Sequence, residues 1–282
     1  MTEIAEAFIA SCRDEIEAPK PGNVHIFAAG HGMTAQEFLR SAEVSAPAIS
    51  DPSASVGQRI LGAIEATWAS VGTNTNLGIV LLCAPLAKAA QAGGALRPAL
   101  KSVLAELTRA DAAAAFRAIL RASPAGLGDA PRHDVRDAPD VTLLEAMQAA
   151  ADRDRIAFQY ASNFIDVFET GLSALAAARG RGWKEPWPTV EVYLAFLAGF
   201  PDSHIARKKG PEIAAAVQSE AKDLRNRFVG FSNPSDALPE LLSFDQRLKT
   251  ARLNPGTSAD LTVATVFADR LARILIYRPN DG

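Results

Sequence analysis

The sequence predicts an all-α protein, a single globular multi-helix domain over residues 1–282 with about ten to eleven helices. Three observations carry this. Alternating runs of Val, Ile and Thr are rare. Alanine and leucine dominate in their place. Apolar residues recur at spacings of three and four almost everywhere, which gathers them on one helix face. With 282 residues, 48% of them apolar, the chain can bury a large core.

The first helix is expected over 2–17, amphipathic in "MTEIAEAFIASCRDEIEA" and stopped by "APKPG". The second, 34–49, opens on Thr34 with Glu37 three residues on, the spacing of a capping box. The third covers 53–70. The fourth, 75–92, is capped by Asn74 or Thr75 and ends at "QAGG". The fifth, 97–121, ends at "RASPAGLG". Residues 122–140 are rich in Gly, Pro and Asp. Composition does not change across them, so they read as a long loop within one domain. Helices follow over 141–151, 153–180 with the stop "ARGRGW", 188–199, 211–229 and 235–251. The last, 257–276, is capped by Thr257 or Ser258, with Asp260 in its first turn.

The net charge of −3 argues against a nucleic-acid partner, and only "RKK" at 207–209 clusters cations. The two cysteines, Cys12 and Cys83, sit in apolar helical stretches and read as buried reduced thiols. The N-terminus carries acids early, unlike a signal peptide. The longest apolar run, 77–87, is about half the length of a membrane span. These features point to a cytoplasmic protein without a membrane partner.

In so apolar a chain the informative residues are polar ones at helix ends. Four turns gather them: "APKPGNVHIFAAGHGM" (18–33), "VGTNTNLG" (71–78), "FPDSHIARKKG" (200–210) and "LNPGTSADL" (253–261). The second and fourth place backbone N–H groups at a helix start, where anions are favoured. The third supplies full positive charge. Asp202 and Asp260 add carboxylates that could hold Mg²⁺ between phosphate oxygens. Each also has a plainer use: Asn74 or Thr75 as an ordinary cap, His25 and His31 as structural histidines, "RKK" as a solvated helix end, Asp260 as an acid offsetting the helix dipole.

In this order the four turns resemble those of the triphosphoribosyl-dephospho-CoA synthase family. Members carry Pro-Lys-Pro-Gly-Leu-Val followed by Gly-Ala-His, then Asn-Thr-His-Lys-Gly, then Asp-Thr-Asn-Val, then Ser-Pro-Gly-Gly-Ser-Ala-Asp-Leu. The counterparts here are "PKPGNV" with "GHGM", "NTNLG", "DSHIARKKG" and "NPGTSADL". The resemblance spans about 15–262 and implies an all-α transferase of coenzyme biosynthesis. Its reaction joins the ribose C1′ of ATP to a 2′-hydroxyl of dephospho-CoA and releases adenine, through an oxocarbenium-like transition state. It implies ATP and Mg²⁺ and a small nucleotide or phosphorylated substrate. An assembly of like chains is compatible with it.

Carried onto this sequence, the resemblance gives Asp202 and Asp260 to catalysis and metal binding, and His31 to acid or base work. Lys20, Arg207 and Lys208 would meet phosphate, and Asn74 and Thr75 ribose hydroxyls or phosphate. Gly22, Asn23, His25, Asn76, Ser203, His204, Gly256 and Ser258 complete the expected binding set.

The departures are specific. The family's His-Lys pair has become Asn76-Leu77, and His25 stands where an Asp is usual. Asp-Thr-Asn has become Asp202-Ser203-His204. The Gly-Ala-Arg-Gly-Glu-Ala segment has no counterpart in "RIAFQYASNFIDVFETG". Two alternatives therefore stand beside the family reaction. One is an enzyme on the same scaffold that builds another coenzyme, such as a C1-carrier pterin or furan, by phosphate or pyrophosphate displacement. The other is a helical binding protein without catalysis.

Overall fold

The computed structural model describes residues 1–122 and 133–277. The described residues are all-α, with two isolated bridges, His25 to Ala28 and Gly30 to Met33, and no longer strand. In order the helices are α1 (Glu3–Glu17), α2 (Ala35–Ile49), α3 (Val56–Val71), α4 (Leu77–Ala92), α5 (Leu96–Ala105), α6 (Arg109–Ala122) and α7 (Leu143–Ala150). Then come α8 (Arg155–Ala161), α9 (Leu172–Gly180), α10 (Trp187–Gly199), α11 (Ser203–Lys209), α12 (Pro211–Phe228), α13 (Leu238–Thr250) and α14 (Gly256–Tyr277). A π-helical turn, Asp166–Gly171, precedes α9, and a 3-10 turn, Pro234–Ala237, precedes α13.

Fourteen helices among the described residues replace the expected ten to eleven, and each extra one has a local cause. The helix expected over 97–121 breaks because Thr108 starts a new one. Thr108 N–H donates to Asp111 Oδ2 (2.9 Å) while Asp111 N–H donates to Thr108 Oγ1 (3.2 Å), a capping box with Asp in the third place. The helix expected over 153–180 breaks where Asn163 and Phe164 take positive φ (53° and 57°), a conformation no helix continues through. The stretch 200–210, expected as a loop, holds α11. Asp202 caps it and Arg207, Lys208 and Lys209 fill its last turn. The expected loop 122–140 lies largely in 123–132, outside the described residues. At α2 the expected capping box is present, Thr34 N–H donating to Glu37 Oε2 at 2.7 Å.

The described residues divide into two compact units, one of residues 1–11, 40–122, 133–165 and 267–277, the other of residues 12–39 and 166–266. In the first, α4 is apolar all round and buries Leu82, Cys83, Ala84 and Leu86 against α3, α5, α6 and α8. The Arg59 guanidinium is wholly enclosed, donating to Ile49 O (2.9 Å), Ala54 O (3.2 Å) and Gln91 Oε1. Burial lowers its pKa to about 10, with Asp51 opposing. Cys12 and Cys83 are buried and free of any disulfide. No single described helix is long and apolar enough to cross a membrane.

Asp111 joins the start of α3 to the start of its own helix, α6. It accepts from Ser55 Oγ (2.6 Å), Gly57 N–H (2.8 Å), and Thr108 N–H and Oγ1. Burial alone would raise its pKa, but these bonds together hold it below the usual carboxylate value. A carboxylate with a depressed folded-state pKa stabilises the fold above its unfolded pKa, and that contribution fades as pH falls through the folded value. Asp111→Asn is therefore expected to be much less stable than the parent at pH 6. The gap should narrow steadily below a pH of about 4, read as urea midpoints across the range.

In the second unit, α10 is the apolar centre, packed by α9, α12 and the π-helical turn. Its core includes Trp183, Tyr193, Leu197, Ile205, Phe228 and Phe244. Trp183 meets Phe228 edge-on with ring centroids 5.0 Å apart.

Candidate active site

The second unit brings three of the four polar turns together. The first leaves α1 through Pro19-Lys20-Pro21-Gly22. Lys20 was expected to meet phosphate, but its ammonium is fully enclosed, 2.7 Å from Glu15 Oε1 and donating to Val24 O at 2.6 Å. Burial lowers the pKa of Lys20 and raises that of Glu15, each opposed by the other's charge. The pair closes the turn on itself. Tyr193 on α10 closes it from behind, its hydroxyl donating to Pro21 O at 2.6 Å.

Gly22 has φ of 82° and sits so close to its neighbours that an added Cβ would lie 2.8 Å from both Leu248 Cδ1 and Pro255 Cδ. Its N–H donates to Asp245 Oδ1 (2.8 Å), and its carbonyl accepts from His31 Nε2 (2.8 Å). Since a carbonyl only accepts, this bond puts the proton of His31 on Nε2. His31 itself is exposed and has φ of 55°. Asn23 Nδ2 donates to Asn254 Oδ1 at 2.9 Å, tying the first turn to the fourth, while Asn23 Oδ1 is buried without a partner.

His25 is buried between two charges on α13. Its Nε2 lies 3.4 Å from Asp245 Oδ2 and 3.4 Å from Lys249 Nζ. Burial lowers its pKa most, with the Asp245 hydrogen bond opposing. Lys249 also donates to Asp245 Oδ2 (2.9 Å) and Ala28 O (3.1 Å). Burial alone would raise the pKa of Asp245, yet the bonds from His25, Lys249 and Gly22 N–H together hold it below the ordinary range.

The third and fourth turns meet at Asp202. One oxygen caps α11, accepting from His204 N–H (2.9 Å) and Ile205 N–H (3.2 Å). The other accepts from Ser258 N–H and Oγ, both at 2.8 Å, at the start of α14. One carboxylate thus caps two helices. Thr257 and Ser258, expected to cap α14 themselves, turn instead toward α11. Thr257 Oγ1 accepts from His204 N–H (3.2 Å) and lies 3.0 Å from Ser203 Oγ. Burial raises the pKa of Asp202, with the bonds from Ser258 opposing most.

The donor set around Asp202 does not fit the expected metal role. Both oxygens are taken and the side chain is buried. Among the described residues no three His, Cys, Asp or Glu side chains converge for a metal ion. Asp260, the other expected ligand, is only half-buried on α14.

Gly256 seats the His204 ring, since a Cβ there would lie 2.8 Å from His204 Nδ1. Burial, with Lys208, Arg207 and His31 adding to it, drops the His204 pKa to about 3. This histidine is neutral at pH 7, and its Nε2 is buried without a partner. Arg207 and Lys208 are exposed at the end of α11. The Lys208 pKa is lowered by partial burial and by Arg207 and Lys209.

The 71–78 turn belongs to the other unit. Asn74 Oδ1 accepts from Leu77 N–H at 3.2 Å, but the residue at the cap position of α4 is Asn76, not the expected Asn74 or Thr75, and its side chain makes no capping bond. The rest of the turn was expected to face a ligand. Thr75 and Asn76 instead point inward, Thr75 Oγ1 donating to Ser41 Oγ (2.6 Å) and Asn76 Nδ2 to Thr67 Oγ1 (3.0 Å).

Sequence reasoning missed Glu15, Tyr193, Asp245, Lys249 and Asn254. Asp245 and Lys249 read as an ordinary i,i+4 pair on an amphipathic helix. The N–H that Asp245 accepts lies 223 residues away, and no local signal marks it.

Comparison with known proteins gives one consistent answer. The model of the family described as ATP:dephospho-CoA triphosphoribosyl transferase matches residues 1–278. A relative from Stutzerimonas stutzeri (strain A1501), named provisionally as a 2-(5″-triphosphoribosyl)-3′-dephosphocoenzyme-A synthase, is 26% identical over 216 residues, 74% of this chain and 65% of that protein. A second so named, from Albidiferax ferrireducens, is 30% identical over 116 residues, 40% of this chain and 37% of that protein. The chain thus spans less than two thirds of the length of these relatives. A crystal structure from Archaeoglobus fulgidus, named provisionally as a triphosphoribosyl-dephospho-CoA synthase, superposes with a TM-score of 0.66 at 25% identity, covering 85% of this chain and 100% of the other.

Proposed function

Because this chain belongs to the ATP:dephospho-CoA triphosphoribosyl transferase family, we propose that it transfers the triphosphoribosyl group of ATP to dephospho-CoA. The 2′-hydroxyl oxygen bonds to C1′ of the ATP ribose. The bond from C1′ to the adenine nitrogen breaks, and its electron pair leaves with adenine. The hydroxyl gives up one proton and adenine takes one up, so no net proton is consumed.

The observation that carries this reading is the meeting of three motif turns in one unit, with Asp202 holding the starts of α11 and α14 together. Arg207 and Lys208, exposed beside that junction, suit the triphosphate. The start of the long α14 already holds an anion, the Asp202 carboxylate, so the cations of α11 are what meet the phosphates. His31 holds its Nε2 proton on Gly22 O, which leaves Nδ1 of an exposed ring for proton transfer. Gly256 and the neutral His204 shape the floor between the two helices. Lys20, Gly22, Ser203 and Ser258 serve by fixing the turns rather than by touching phosphate. Magnesium would arrive on the triphosphate, since the donors among the described residues make no cage for it.

The test is direct. The protein incubated with ATP, Mg²⁺ and dephospho-CoA should release adenine in step with a dephospho-CoA adduct that keeps all three phosphates. ATP alone should give none. Chromatography of the bases and mass analysis of the adduct read both. Absence of adenine with both substrates present overturns the proposal.

A further inference from the structure

His25 lies between an anion and a cation that make opposite demands on one nitrogen. Asp245 Oδ2, at 3.4 Å, can only accept, so it calls for a proton on Nε2. Lys249 Nζ, also at 3.4 Å, can only donate, so it calls for a lone pair there. Which of them wins decides the other face of the ring. With the proton on Nε2, Nδ1 is an acceptor. With the proton on Nδ1, it is a donor.

Two further observations choose between them. Lys249 spends two of its three N–H groups on shorter bonds, to Ala28 O (3.1 Å) and Asp245 Oδ2 (2.9 Å), and its third reaches His25 Nε2 only at 3.4 Å. And Nδ1 is buried with no partner. A buried donor left without a partner is rarer than a buried acceptor. Asn23 Oδ1, on the same turn, is a second buried acceptor without a partner. Buried polar atoms left over in this way call for a bound group that completes them. Two leftover acceptors call for a hydroxyl or another hydrogen-bond donor.

From this geometry we infer that Asp245 is a positioning residue of the site: it fixes the Nε2–H tautomer of His25, and His25 Nδ1 thereby accepts a hydrogen bond from a substrate hydroxyl. Lys249 anchors the first turn through Ala28 O and keeps Asp245 ionised, without taking His25 Nε2. The same carboxylate sets the Gly22 turn through its other oxygen, so tautomer and backbone are fixed by one side chain. The charged groups facing His25 are Asp245 and Lys249 from α13 and Lys20 from its own turn. The identity of the hydroxyl as one of ATP or dephospho-CoA rests on the function proposed above.

The test is nitrogen-15 NMR of the four histidine rings in the full chain, with His25 assigned through His25→Gln. The parent should show His25 protonated on Nε2. Lys249→Met should leave that unchanged. Asp245→Asn still offers an oxygen to Gly22 N–H but turns its NH₂ toward His25, so the proton should move to Nδ1. Its kcat for adenine release should fall by about tenfold or more, with KM changed less. A parent His25 protonated on Nδ1, or an Asp245→Asn variant with an unmoved proton, overturns the inference. If Asp245→Asn does not fold, the parent and Lys249→Met spectra still decide. Dephospho-CoA or ATP, whichever carries the hydroxyl, should shift the Nδ1 signal on saturation. If both bind by calorimetry and neither shifts it, the acceptor role falls. If neither binds, the proposed reaction falls, while the tautomer result still decides what Asp245 does.

Discussion

Asp202→Ala is expected to lose both stability and adenine release. The substitution removes the cap of α11 and leaves Ser258 N–H and Oγ–H without their acceptor in a buried place. One cap and one charged hydrogen-bond pair together are worth about 3–4 kcal/mol. For a chain of 282 residues that is a fall in Tm of about 5–7 °C. Asp202→Asn should be milder. Its oxygen can keep one set of N–H donors, but its NH₂ then opposes the other set. Activity is the sharper readout. Measured well below the Tm of the variant, adenine release should still fall, because α11 carries Arg207 and Lys208 and is held to α14 through this carboxylate. A variant that melts with the parent would show that the two helix starts are held by something else.

The second large effect is expected at Gly22→Ala. The left-handed φ of 82° costs any L-residue energy, and the new methyl meets the rigid Pro255 ring at 2.8 Å. Strain and overpacking together come to about 2–5 kcal/mol. The Leu248 Cδ1 methyl can yield, whereas the proline ring and Leu248 Cβ, 3.0 Å away, cannot. The turn must therefore shift. It carries the carbonyl on which His31 sits and precedes Asn23, so both move with it. The expected result is a lower urea midpoint together with a drop in kcat/KM larger than the unfolded fraction explains. An unchanged midpoint would mean that the turn relaxes without strain.

The helical plan was legible because periodicity is a local property, and so were most stops. The missed breaks were legible in principle. Thr108 with Asp111 is a start signal with Asp in place of Glu, and Asp202 with cations five to seven residues on is a short helix with both ends marked. What local signals could not give is which polar residue is used up by another. Lys20 and Asp202 read as ligand groups until Glu15 and Ser258 are found on them. Thr75 and Asn76 read as open until Ser41 and Thr67 are found beneath them. The motif order pointed to four turns, and three of them share one unit while the 71–78 turn lies in the other. It could not show that much of their polarity is spent on holding the turns themselves.

The enclosed Lys20–Glu15 contact bears on how such a protein can change over generations. Losing either member alone strands a charge away from water, at about 3–5 kcal/mol, so single steps at these positions are blocked. Only a paired exchange, or an intermediate already more stable than it needs to be, leads elsewhere. A signature lysine can therefore persist through a change of chemistry simply because the route out is closed.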